Sequence, residues 1–148
     1  MHIQAVKLFF YIREYIIALC DNHNYSDCVK DKLFAEGRRL PDCLQNYLEK
    51  LILIFECIKN NDVQKFNETD REIKDVIIPL VVGDAAFGAP PLPSIPINGG
   101  VPVRAWFNNS DLNYITDELK KIMLFRVTKN YNAEQLTLDR LFGIVLQN

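Results

Sequence analysis

Between residues 79 and 110 the chain abandons the pattern that governs the rest of it. On either side, apolar residues recur at helical spacing. Within the stretch fall six of the seven prolines and four of the six glycines, and only Asp84 and Arg104 carry charge. Proline lacks a backbone donor and its ring crowds the preceding turn, so Pro79 is expected to end the helix before it. A disordered linker would be polar and charged. This one instead carries Leu80, Val81, Val82, Phe87, Leu92, Ile95, Ile97, Val101, Val103, Trp106 and Phe107. Such a segment is too apolar to be left in water, and it reads as an ordered arm that packs on its own helices or on something else.

The arm has internal punctuation of its own. Ile95-Pro96-Ile97 and Val101-Pro102-Val103 flank Asn98-Gly99-Gly100, and Asn-Gly and Gly-Gly supply the positive φ angles of a tight hairpin turn. The prolines cannot donate to a ladder, so a short β-hairpin is predicted that no further strand can extend. Upstream, Pro90, Pro91, Leu92 and Pro93 give a Pro-x-x-Pro spacing at 90/93, repeated at 93/96. That pattern favours the extended conformation read by proline-binding domains, although no basic residue stands beside it as an anchor. The residues expected to meet a partner are therefore Pro90, Pro91, Leu92, Pro93, Ile95, Ile97, Val101, Val103, Trp106 and Phe107.

The fold expected around this arm is all-α: one domain over residues 1–148, a bundle of five to six helices, with N-terminal helices over 1–78, the Pro/Gly-rich arm with its hairpin over 79–110, and C-terminal helices over 111–148. A first helix from His2 to Cys20 has Gln4, Lys7, Tyr11 and Glu14 on one narrow stripe and apolar side chains over most of the rest. Ser26 is a plausible cap for a second helix that Gly37 would end. Leu44, Leu48, Leu51, Phe55 and Ile58 mark a third, with Tyr47, Ile52, Leu53 and Ile54 nearly closing its apolar stripe. The first and third helices are each too apolar for one neighbour to cover, so they form either a central pair or a face left for a partner. Val63, Phe66, Ile73 and Ile77 share a face interrupted by Asp70, and Thr69 with Glu72 has the spacing of a capping box. After the arm, Asn109 or Ser110 can cap a helix to about Val127 with Leu112, Ile115, Leu119 and Ile122 inward. Asp117 and Lys121 have the spacing of an exposed ion pair. A loop from Thr128 to Tyr131 precedes a last helix, in which Asn132 and Gln135 have capping-box spacing.

Composition narrows the function classes. A net charge of −2 with scattered lysines and arginines offers no footprint for nucleic acid or for an anionic membrane. The first helix carries Lys7, Arg13 and Glu14 and is not preceded by a charged leader, so neither a signal peptide nor a membrane span is expected. The expected location is intracellular, cytoplasmic or nuclear. Cys20, Cys28, Cys43 and Cys57 all lie in the first half. Cys20, His23 and Cys28 with Cys43 are the weak candidates for a zinc site, but the spacing matches no zinc module and buried thiols are the plainer reading. No phosphate-binding glycine loop, metal-protease helix or nucleophile elbow occurs.

The expectation is consequently a non-enzymatic structural or assembly protein, with no catalytic residue, no cofactor and no small-molecule substrate. It would work through helix faces and the Pro-rich arm on copies of itself or on a larger complex, and the Asn- and Ile-rich composition would suit an AT-rich genome such as a virus's. The alternatives are an adaptor that presents the proline run to a recognition domain, and a small zinc-dependent or enzymatic module.

Overall fold

A computed structural model of the chain describes residues 3–21, 23–38, 42–83 and 109–147. Within them every element is helical: α1 (Ile3–Asp21), α2 (His23–Gly37), α3 (Asp42–Asn60), α4 (Val63–Glu72), a π-helical turn (Ile73–Ile77), α5 (Ile78–Gly83), α6 (Asn109–Val127) and α7 (Tyr131–Gln147). The all-α expectation holds for these residues. The hairpin and the proline run lie outside the described residues.

α3 is the axle of the bundle. It packs against α1, α2, α4, the π turn, α5 and α6, and Leu51, Ile54 and Phe55 have no exposed surface at all. Its near-complete apolar stripe follows from that position, since a helix with neighbours on most sides has little need of a polar face. Asp42 in the first turn and Lys59 in the last suit the helix dipole. α1 packs on α2, α3, α6 and α7 and buries Leu8, Phe9, Ile12, Tyr15, Ile16, Ala18 and Leu19. The two most apolar helices are thus consumed largely in the protein's own core. Tyr15 stacks obliquely on Phe55, ring centroids 6.4 Å apart, and donates a hydrogen bond to Glu56 at 3.2 Å. Lys30 of α2 reaches the same carboxylate at 3.4 Å.

Pro79 does not end its helix. α4, the π turn and α5 form one continuous rod from Val63 to Gly83. The Ile78 N–H reaches back five residues to the Ile73 carbonyl instead of four. The wider turn lies directly upstream of the ring, where a regular turn would crowd the carbonyl four residues back and expect an N–H that proline lacks. Thr69 and Glu72 accordingly mark no restart; Thr69 is buried.

The rod runs antiparallel to α6. Asp70 and Lys74 on the rod pair with Lys120 and Asp117 on α6: Lys120–Asp70 at 2.6 Å, Lys120–Asp117 at 2.9 Å, Lys74–Asp117 at 3.5 Å. The aspartate that seemed to interrupt an apolar face is therefore a half-buried member of a charge-alternating seam. The expected Asp117–Lys121 pair is replaced by Lys121–Glu118 at 3.1 Å, because Asp117 turns toward the rod. This polarity puts Gly83 and Asn109 at one end of the bundle and the α3–α4 turn, beside the last turns of α6, at the other.

Gly37 ends α2 in a way the sequence does not announce. Its backbone is not left-handed; rather, a Cβ there would sit 2.8 Å from Leu48 Cδ1, so the missing side chain lets α2 approach α3. Ser26, expected as a cap, is buried inside α2, which already begins at His23.

Candidate functional site

The α3–α4 turn opens an apolar groove. α3 closes with Asn61 in a left-handed conformation, φ 56°. The Asp62 N–H bonds to the Cys57 carbonyl at 2.9 Å and the Asn61 N–H to the Ile58 carbonyl at 3.3 Å, the paired bonds of a Schellman ending. Asp62 then caps α4 at once, its Oδ1 accepting from the Lys65 N–H at 3.2 Å. Reversing direction in two residues keeps α3 and α4 splayed by the width of the turn, and the space between them and α6 is not filled.

The groove holds about 450 Å³ and is lined by Cys57, Ile58, Asn61, Asp62, Val63, Phe66, Asp117, Lys120, Lys121 and Leu124. Val63 is 61% exposed and Leu124 50%, high values for branched apolar side chains that line the same groove. Phe66 forms part of the wall, with the Lys120 ammonium 5.9 Å from its ring centroid.

Its electrostatics are closed. Asp62 is spent on the helix cap, Lys121 on Glu118, and Lys120 is shared between Asp70 and Asp117. Burial pushes the Asp117 carboxyl up, but the Lys120 and Lys74 ammoniums outweigh it and hold the group below its ordinary value. Burial pushes Lys120 down, and Asp70 and Asp117 more than reverse that. Both groups therefore stay charged and paired at neutral pH. Burial, with Asp62 nearby, raises the Cys57 thiol, the opposite of what a nucleophile needs. Each charged side chain around the groove already has a partner, and its uncommitted surface is apolar.

The weak metal candidates do not converge. Cys20 lies on α1 with its Sγ 3.9 Å from the Met123 sulfur of α6, and burial raises its thiol. Cys28 is exposed on α2. The side chains of His23 and Cys43 lie outside the described residues, and among the described residues no group of three or more His, Cys, Asp or Glu is placed to hold a metal ion. The predicted contact residues, Pro90, Pro91, Leu92, Pro93, Ile95, Ile97, Val101, Val103, Trp106 and Phe107, also lie outside the described residues. Among the described residues no helix is long and apolar enough to cross a membrane.

The groove itself escaped the sequence. Val63 shares a face with Phe66, Ile73 and Ile77 in the sequence pattern, yet it is exposed and lines the groove. Leu124 did leave a trace, since it falls out of phase with the inward stripe of Leu112, Ile115, Leu119 and Ile122 and so had to face outward. No known protein family, curated protein or solved structure matches this chain.

Proposed function

We propose that this protein is a non-enzymatic assembly protein that associates with copies of itself through its Pro/Gly-rich arm. The observation that carries this reading is the groove at the α3–α4 turn, an open apolar cleft whose charged neighbours are all engaged. Such a surface suits an uncharged protein segment better than an ionic substrate. The chain supplies a segment of that character in residues 84–108, with two charges and eight large apolar side chains. The faces of α1 and α3 take no part in this reading, because both helices are packed largely within the bundle.

Light scattering on the intact chain tests the reading. Species heavier than a monomer are expected, and deletion of Pro90 to Val103 should abolish them while leaving the helical circular dichroism intact. A chain that stays monomeric at the highest soluble concentration would overturn the proposal. So would a deletion variant that associates as well as its parent.

A further inference from the structure

The groove lies at the end of the bundle opposite Gly83 and Asn109, the two described residues from which the arm departs, and that separation bears on how copies join. Because the rod and α6 are antiparallel, α5 ends at Gly83 and α6 begins at Asn109 at the end of the bundle away from the groove. Leu124, in the groove, lies 15 residues further along α6, ~22 Å at 1.5 Å per residue. The 25 residues from 84 to 108, doubled back between fixed ends, can carry their midpoint up to ~40 Å from their roots. That reach spans the distance to the groove end of a second copy stacked end to end on Gly83 and Asn109.

We infer that the groove lined by Cys57, Val63, Phe66 and Leu124 receives residues 84–108 of a second copy, head to tail. This rests on the assembly reading above and specifies its geometry. The chemistry of the two surfaces agrees. The groove has no unpaired charge to offer, and the segment brings only Asp84 and Arg104 among aromatic and branched side chains, with Trp106 and Phe107 suited to anchor it. Arm at one end and receptor at the other make the contact heterologous. Such contacts propagate into rings or open filaments instead of stopping at a symmetric dimer.

The test pairs two defective chains. V63D/L124D keeps its arm and loses its groove; both sites are exposed, so the fold should survive, as circular dichroism will show. The chain lacking Pro90 to Val103 and carrying W106A/F107A keeps its groove and loses its arm with both anchors. Intact protein should form species whose mass climbs with concentration in sedimentation velocity. Each variant alone should be monomeric, the charged one weakened by about a hundredfold or more through the cost of burying carboxylates on an apolar surface. Mixed, they should give a 1:1 dimer that grows no further.

Intact protein that stops at a dimer, a groove variant that assembles like its parent, or a mixture without heterodimer would each overturn the head-to-tail contact while leaving self-association standing. A monomeric intact chain would instead sink the assembly reading itself. Should the charged variant unfold, a photo-crosslinking residue at Leu124 in mixed heavy- and light-isotope protein decides the matter. Crosslinks to residues 84–108 of the other isotope are expected, and crosslinks confined to the same chain overturn the proposal.

Discussion

The α3–α4 and α6–α7 turns are the same device built twice, and only one of them is sealed. In each, a left-handed residue closes one helix and the next residue caps the following one. Asn61 and Lys129 have φ 56° and 60°. The Asn130 N–H bonds to the Phe125 carbonyl at 2.8 Å and the Lys129 N–H to Arg126 at 3.1 Å, repeating the pattern at Asp62 and Asn61. Asn130 Oδ1 accepts from the Ala133 N–H at 3.3 Å, as Asp62 does from Lys65. At the second turn, however, Arg126 ties α6 to α7 and α1. It binds the nearly buried Glu134 at 3.1 Å and Asp21 of α1, and lies 5.0 Å from the Tyr131 ring centroid. At the α3–α4 turn the positions that match Arg126 and Glu134 hold Ile58 and Phe66, which form no ion pair. A turn geometry therefore does not decide whether a cleft is core or binding surface; one side chain able to span it does.

The largest test of this comparison is to break the clamp. Arg126→Ala leaves the Glu134 carboxylate, 6% exposed, without its counter-charge. It should cost about 3 kcal/mol in urea unfolding. If the loss is below 1 kcal/mol, Arg126 is not what seals the turn. Next come the caps, where Asp62→Ala and Asn130→Ala should each cost about 1 kcal/mol. Near-equal values support the equivalence of the two turns, and a severalfold difference refutes it.

The left-handed residues sharpen the comparison further. Asn tolerates that conformation better than Lys, so Lys129→Gly should stabilise by about 1 kcal/mol, whereas Asn61→Gly should change little. A thermal melt that moves equally for both would show that the lysine is not strained.

The smallest expected effect is on pH. Asp117 beside the groove has its carboxyl lowered in the fold, so its contribution is fully present above the ordinary aspartate value and is lost as pH falls through the lowered one. Lys120 is raised, so its share is present below the ordinary lysine value and disappears as pH climbs through the raised one. Asp117 is partly exposed, and Asp117→Asn should cost about 1 kcal/mol or less at pH 7, with the difference vanishing in strong acid. A difference that persists unchanged in acid would mean that the charge is not the source.

What was legible in the sequence follows a physical line. Helix existence was legible wherever a stripe met the core: the periodicities of α1, α3 and α6 place those helices to within a residue or two at each end. Events set by a neighbour were not. Pro79 broke no helix because a wide turn precedes it. Gly37 serves Leu48 on another helix. The cap of α7 is Asn130, two residues before the predicted Asn132, because the Schellman ending of α6 hands directly to it. The groove was invisible for the same reason, being the shape left between three helices.

The π turn at Ile73–Ile77 gives the rod a phase. A π turn is an α-helix carrying one surplus residue, and each residue turns an α-helix by ~100°. Deleting one residue there would restore a regular helix and leave Ile78 and Val81 facing the core, because the wide turn already absorbs the surplus residue; what would be lost is the wide turn itself, setting the Pro79 ring against an ordinary one. The surplus residue and the proline are therefore coupled: the length of the span from Val63 to Gly83 is matched to the ring at position 79.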